Sequence, residues 1–238
     1  MKTILIMPIL ATAVFAAACG GAGPTDASTT AQVRYFNATT GIAGSGGFTT
    51  NGQFASGSAL AFGQSTQTCA PLDPGATSFG FGTANVGGTA LTGNALATLN
   101  NQTIAAGGNY TMVATGSAAS PQLYLIDNNF SGSLGTNQAA VRFLNLAPGP
   151  NTLPNIFYVF SAWPPVADGA LIAPSVLVGT PSDFKTMPSG AATFSFLIGH
   201  QLETLESNPF TLQAGSVNTF AIVPKTSGGF ELIKIARC

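Results

Sequence analysis

The stretch AQVRYFN at residues 31–37 returns as AAVRFLN at 139–145, placing Arg34 and Arg142 at an offset of 108. IAAGGNYTMV at 104–113 faces LQAGSVNTFA at 212–221 with the same offset, Gly107 against Gly215. Between them GATSFGF at 75–81 matches GAATFSF at 190–196, shifted locally to 115. Three collinear matches with modest gaps mark a tandem duplication, so the chain is expected to build one unit twice. The units are expected at 31–136 and 139–238, meeting at the polar connection near Gly135 to Gln138.

Each unit reads as short strands. In VRYFN, Val33 and Tyr35 point one way and Arg34 and Phe36 the other, the period of two that a strand imposes. ATSFGF, NYTMVAT and PQLYLI repeat the signature in the first copy; NIFYVF, ATFSFLI, NTFAIV and FELIKI repeat it in the second. Pro, Gly and Asn clusters separate them, and no stretch after residue 20 sustains a helical period. Around seven strands per hundred residues predicts an all-β chain of two tandem immunoglobulin-like antiparallel β-sandwich domains.

Composition narrows the setting. Charged residues are 6% of the chain, against roughly 25% in an average globular protein. The net charge of −1 provides no basic field for a phosphate backbone, so nucleic acid is not an expected partner. With 45% hydrophobic residues and 17 phenylalanines the chain can bury a sizeable core, which disordered compositions cannot. A polar but uncharged surface, punctuated by 29 Gly and 15 Pro, reads as extracytoplasmic.

Residues 1–18 have the parts of a signal peptide: Lys2, an apolar run from Ile4 to Phe15, then the small residues Ala16, Ala17 and Ala18. Ala16 to Cys19 resembles the bacterial lipobox, in which the cysteine becomes the first mature residue and carries acyl chains. Ala16-x-Ala18 would also suit ordinary signal peptidase, leaving a secreted chain as the alternative. A lipidated Cys19 followed by a flexible tether to residue 30 would anchor the protein to a membrane. With Gly20 after the cysteine, similarity to known sorting behaviour points to the outer membrane, facing periplasm or surface. Removing Cys19 leaves an even pair, Cys69 and Cys238, which are either a disulfide or two thiols. Zinc held by these two and His200 lacks any C-x₂-C or H-x₃-H spacing.

V-R-Y/F-x-N opening each unit, with the A-G stretches AGGNYTMV and AGSVNTFA near its end, resembles the bacterial "domain of unknown function 4397" proteins. The resemblance covers roughly residues 31–238 and implies secreted or surface-attached modules, often duplicated, in lipoproteins and larger envelope proteins. It implies no activity.

Few residues invite chemistry. Arg34 and Arg142 could form paired anion or glycan-carboxylate sites; their presence in both copies also fits a shared demand of the fold. Asn37 and Asn145 suit turns. His200 is the only histidine and has no nucleophile context, Glu203 and Glu206 read as a solvated cluster, and Asp73, Asp127, Asp168 and Asp183 are scattered. No catalytic residue, metal site or cofactor is expected. Along NIFYVFSAWPPVADG, Tyr158 and Trp163 are candidate ligand-binding aromatics, with a buried core strand as the plainer reading. The expected function is that of a non-enzymatic cell-envelope lipoprotein, a structural or protein-interaction module with an envelope protein or polysaccharide as partner. The alternative is a surface glycan-binding module built around Trp163.

Overall fold

The computed structural model describes residues 30–147, 156–161, 170–198, 201–203, 209–225 and 229–238. The leader, Cys19 and its tether lie outside the described residues. Every regular element described is a strand, so the all-β expectation holds.

The first half contributes β1 (Ala31–Thr40), β2 (Gly46–Thr50), β3 (Gln53–Phe54), β4 (Ala70–Leu72), β5 (Gly75–Thr83), β6 (Ala97–Ile104), β7 (Asn109–Ser117) and β8 (Ser120–Asp127). They form two sheets, ordered β4-β1-β7-β8 and β3-β2-β5-β6. The second half contributes β9 (Gln138–Asn145), β10 (Ile156–Ser161), β11 (Ala170–Leu177), β12 (Lys185–Pro188), β13 (Gly190–Ala192) and β14 (Phe194–Ile198). It continues with β15 (Gln201–Glu203), β16 (Phe210–Leu212), β17 (Val217–Pro224) and β18 (Phe230–Ile235). Its sheets are β12-β9-β17-β18, β11-β10-β14-β15 and the pair β13-β16.

The purely antiparallel pairing expected from sequence is corrected at the centre of each half, where β1 pairs β7 and β9 pairs β17 in parallel. A parallel partner must be reached by a crossover rather than a hairpin. Here the crossover is the whole excursion through β2 to β6, or β10 to β16. Register repeats along with order: Arg34 lies opposite Thr111, and Arg142 opposite Thr219. Where β5 shifts register between Thr77 and Phe79, the second half breaks into β13 and β14 at Thr193. One long bulged strand is thus replaced by two short ones at the matching place.

Alternation along β1 and β9 builds three cores rather than two. Val33, Tyr35, Met112 and Ala114 pack with Phe48, Phe79 and Phe81 between the first-half sheets. Val141, Phe143, Phe220 and Ile222 pack with Phe194 and Leu212 in the second half. The opposite faces of the same strands meet each other: Phe36, Ala38, Val113 and Ile126 join Leu144, Leu146, Ala221, Val223 and Ile235. Strands buried on both faces read as near-continuous apolar runs, and VRYFNA and VRFLNL are apolar apart from one arginine and one asparagine each. The seam between the halves is therefore a core in its own right.

Candidate functional site: the arginine seam

Arg34 and Arg142 both belong to the strand faces that meet at this seam, and both are buried, 7% and 4% exposed. A buried cation is costly unless its N–H groups find acceptors. Arg34 Nη1 donates to the carbonyls of Thr66 and Gln67, the latter at 3.3 Å. Its Nη2 donates to Cys69 Sγ at 3.4 Å and crosses to the Arg237 carbonyl at 3.5 Å. Arg142 Nε donates to Thr219 Oγ1 at 3.0 Å, on the neighbouring strand β17. Its Nη2 crosses in the opposite sense, to Asn128 Oδ1 at 2.6 Å, while its guanidinium carbon sits 4.5 Å from the centre of the Phe184 ring. Asn128 is held in turn by Thr111 Oγ1 at 2.8 Å. Each arginine of one half thus reaches into the other half.

Burial lowers the pKa of both guanidinium groups. For Arg142 it brings the value to about 10, with the Asp127 carboxylate opposing the shift and Arg237 adding to it. Two further links cross the seam. Thr115 Oγ1 donates to the Leu146 carbonyl at 2.5 Å. Cys69, just before β4, forms a disulfide with Cys238 at the C-terminus, 169 residues away. The sequence left these cysteines open between bridge and thiols, and the bridge is what forms. Bonded to each other, they present no thiolate pair for the zinc arrangement, and among the described residues no cluster of three metal-binding side chains exists.

Asn37 and Asn145 do more than turn the chain. Asn37 Nδ2 donates to the Leu60 carbonyl at 2.8 Å, and its Oδ1 accepts from Thr39 N. Asn145 repeats both bonds, to the Val176 carbonyl at 3.2 Å and from Ala147 N. Each amide ties a seam strand to the segment crossing its edge. Tyr158 falls within β10, opposite Leu197 of β14. Trp163, Asp168, His200 and Glu206 lie outside the described residues. Asn128, Phe184 and Thr66, which complete the arginine sites, were missed from sequence because nothing in the local pattern marks a partner supplied by a distant loop.

A family model described as "Domain of unknown function (DUF4397)" matches residues 27–153, the first half together with β9. The chain belongs to the DUF4397 family. The matched span therefore contains both V-R-Y/F-x-N motifs, Arg34 and Arg142 included. No curated protein matches this DUF4397 chain. Among solved structures it is similar to one described as "The Bacillus anthracis TIE protein", at 11% identity and a TM-score of 0.24. That match covers 82% of this chain and 34% of the other, so the chain spans about a third of that protein's length.

Proposed function

We propose that this DUF4397 protein is a non-enzymatic cell-envelope lipoprotein acting as a structural or protein-interaction module. In this reading its body is two immunoglobulin-like sandwich modules, 31–136 and 139–238, which arose by tandem duplication. Cys19, acylated after removal of residues 1–18, holds them off the membrane, with the outer membrane as destination. The observation that carries the proposal is the seam. The arginines that recur in both halves spend their hydrogen bonds on the protein itself, across the contact between halves. Cations used in this way are struts, and a pair of modules locked together presents its loops and sheet edges at fixed separation. The matching register of β1–β7 and β9–β17 supports the duplication.

The test is an intact mass of the native protein extracted from membranes, alkylated with and without prior reduction, alongside crosslinking in cells. Mass beyond residues 19–238 in steps of acyl chains, with a crosslinked envelope partner, is the expected result. An unacylated mature chain, or a Cys19 that takes the alkylating label, overturns the anchor and leaves a freely secreted module.

A further inference from the structure

A cleft of about 490 Å³ opens beside the sheet β3-β2-β5-β6 of the first half, walled by Phe54 and Leu91 and rimmed by Thr49, Gln53, Thr89 and Asn94. Its size falls within the range of small-ligand sites. The sheet beneath it is rich in glycine, with Thr49 the side chain beside Gly80. Phe48, Phe79 and Phe81 point into the core, so Gly47, Gly80 and Gly82 occupy the opposite face. A Cβ on Gly47 would stand 2.6 Å from the Phe54 ring and 3.1 Å from Leu91, and one on Gly82 would stand 3.4 Å from Leu91. The glycines let the aromatic wall and the 84–95 loop lie directly against the sheet.

That loop is held ready. Ala84 and Leu91 form an isolated bridge. Asn85 Oδ1 accepts from Thr89 N at 2.9 Å, and Thr92 N donates to the Thr83 carbonyl at 2.7 Å. A rim fixed in advance loses little freedom when a ligand arrives.

The second half carries other residues at the matching register positions. The pairing of β2 with β5 sets Gly47 opposite Gly82 and Phe48 opposite Phe81; the pairing of β10 with β14 sets Tyr158 opposite Leu197 and Val159 opposite Phe196. Tyr158, Leu197 and Ser195 therefore stand at the register positions of Gly47, Gly82 and Gly80. Glycines that do not recur in the second half are not demanded by the common strand frame, unlike the arginines.

Among the described residues no charged side chain lines the cleft, and Asp73 is the single charged residue between Tyr35 and Ile126. Phosphates, carboxylates and ammonium groups would find no counter-ion there. A ring with an apolar face and many hydroxyls would find an aromatic wall, two amides and two hydroxyls. We propose that this cleft binds a neutral sugar ring of a polysaccharide, Phe54 stacking on its apolar face while Gln53, Thr89 and Asn94 exchange hydrogen bonds with its hydroxyls. Neither Trp163 nor the anchor is needed for this assignment.

The test titrates the intact purified chain with neutral oligosaccharides (β-glucan, mannan and galactan fragments) and with polygalacturonate as an anionic control, read by calorimetry and saturation-transfer NMR. Binding of a neutral fragment is expected to weaken about tenfold or more in Phe54→Ala and in Asn94→Ala, the loss expected from one stacking contact or one hydrogen-bond set. Asn94 is exposed, so its variant decides the matter if Phe54→Ala fails to fold. The proposal is overturned by any of three results: no neutral fragment binds at millimolar concentration, polygalacturonate binds better, or binding persists in folded cleft variants and is lost in Trp163→Ala instead.

Discussion

The seam and the outer sheet of the first half use the same strand frame in opposite ways. At the seam, what one half does the other repeats: an arginine at the same register, an asparagine tying the strand edge, an apolar face turned toward its counterpart. The bonding partners differ, since Arg34 rests on carbonyls and a disulfide sulfur and Arg142 on Asn128, Thr219 and the Phe184 ring. On the outer sheet even the residues differ, glycines in the first half against Tyr158, Ser195 and Leu197 in the second. Positions that recur with new partners serve the fold. Positions that fail to recur are free to carry a function of their own.

The largest effect should come from uncoupling the seam. Replacing both Cys69 and Cys238 with alanine opens a loop of 169 residues, for which chain entropy sets a ceiling of about 5 kcal/mol. Denaturant unfolding of the variant should show a large drop in midpoint, matched by the reduced wild-type chain. Arg142→Ala comes next, because it strands the acceptors Asn128 and Thr219 in a buried site; a loss of about 1.5–3 kcal/mol is expected in the same assay. Arg34→Ala should fall in the same range if the two sites are equivalent in function despite their unlike partners.

Gly47→Tyr, which gives the first half the residue of the second, sharpens the contrast from the other side. Its side chain must displace the Phe54 ring, at a cost of about 1–3 kcal/mol for overpacking. The chain should still fold while losing oligosaccharide binding. The smallest effect concerns Tyr35, whose counterpart in the second half is Phe143. Burial raises the Tyr35 pKa, with its hydrogen bond to Thr50 Oγ1 opposing. The folded chain thus keeps a proton that the unfolded chain releases, so this contribution is complete below pH of about 10 and fades as pH rises toward the folded value. Arg142 contributes with the opposite sign, since above pH of about 10 its folded form releases a proton that the unfolded chain still holds. Comparing wild type with Tyr35→Phe isolates the tyrosine. The variant should lose about 1 kcal/mol at neutral pH and show a shallower alkaline decline.

Much of the frame was legible in the sequence because strand alternation and offset matching report local geometry directly. VRYFN and VRFLN located β1 and β9, and the A-G stretches located β7 and β17. Antiparallel pairing was the wrong default at the centre, since alternation fixes which face a side chain takes but not the direction of its neighbour. The third core was missed for a related reason. A run apolar on both faces signals two-sided burial without saying what covers the second face. The partners of Arg34 come from a loop 32 to 35 positions away and from Arg237, those of Arg142 from Thr219, 77 positions away, and from Asn128 of the other half, and no period connects them. Gly80 read as part of the ATSFGF strand, but nothing local tied it to Gly47 and Gly82; only strand pairing puts the three in one place.

The most direct test of the locked seam is native-state hydrogen exchange on the oxidised, intact chain, comparing amides of β1 and β7 with those of β9 and β17. Because the two parallel pairs share one core, a disulfide and reciprocal arginine bonds, they are predicted to open together with a single free energy, the highest in the molecule. If one pair exchanges through its own opening while the other stays protected, the halves are independent modules and the seam is only a contact.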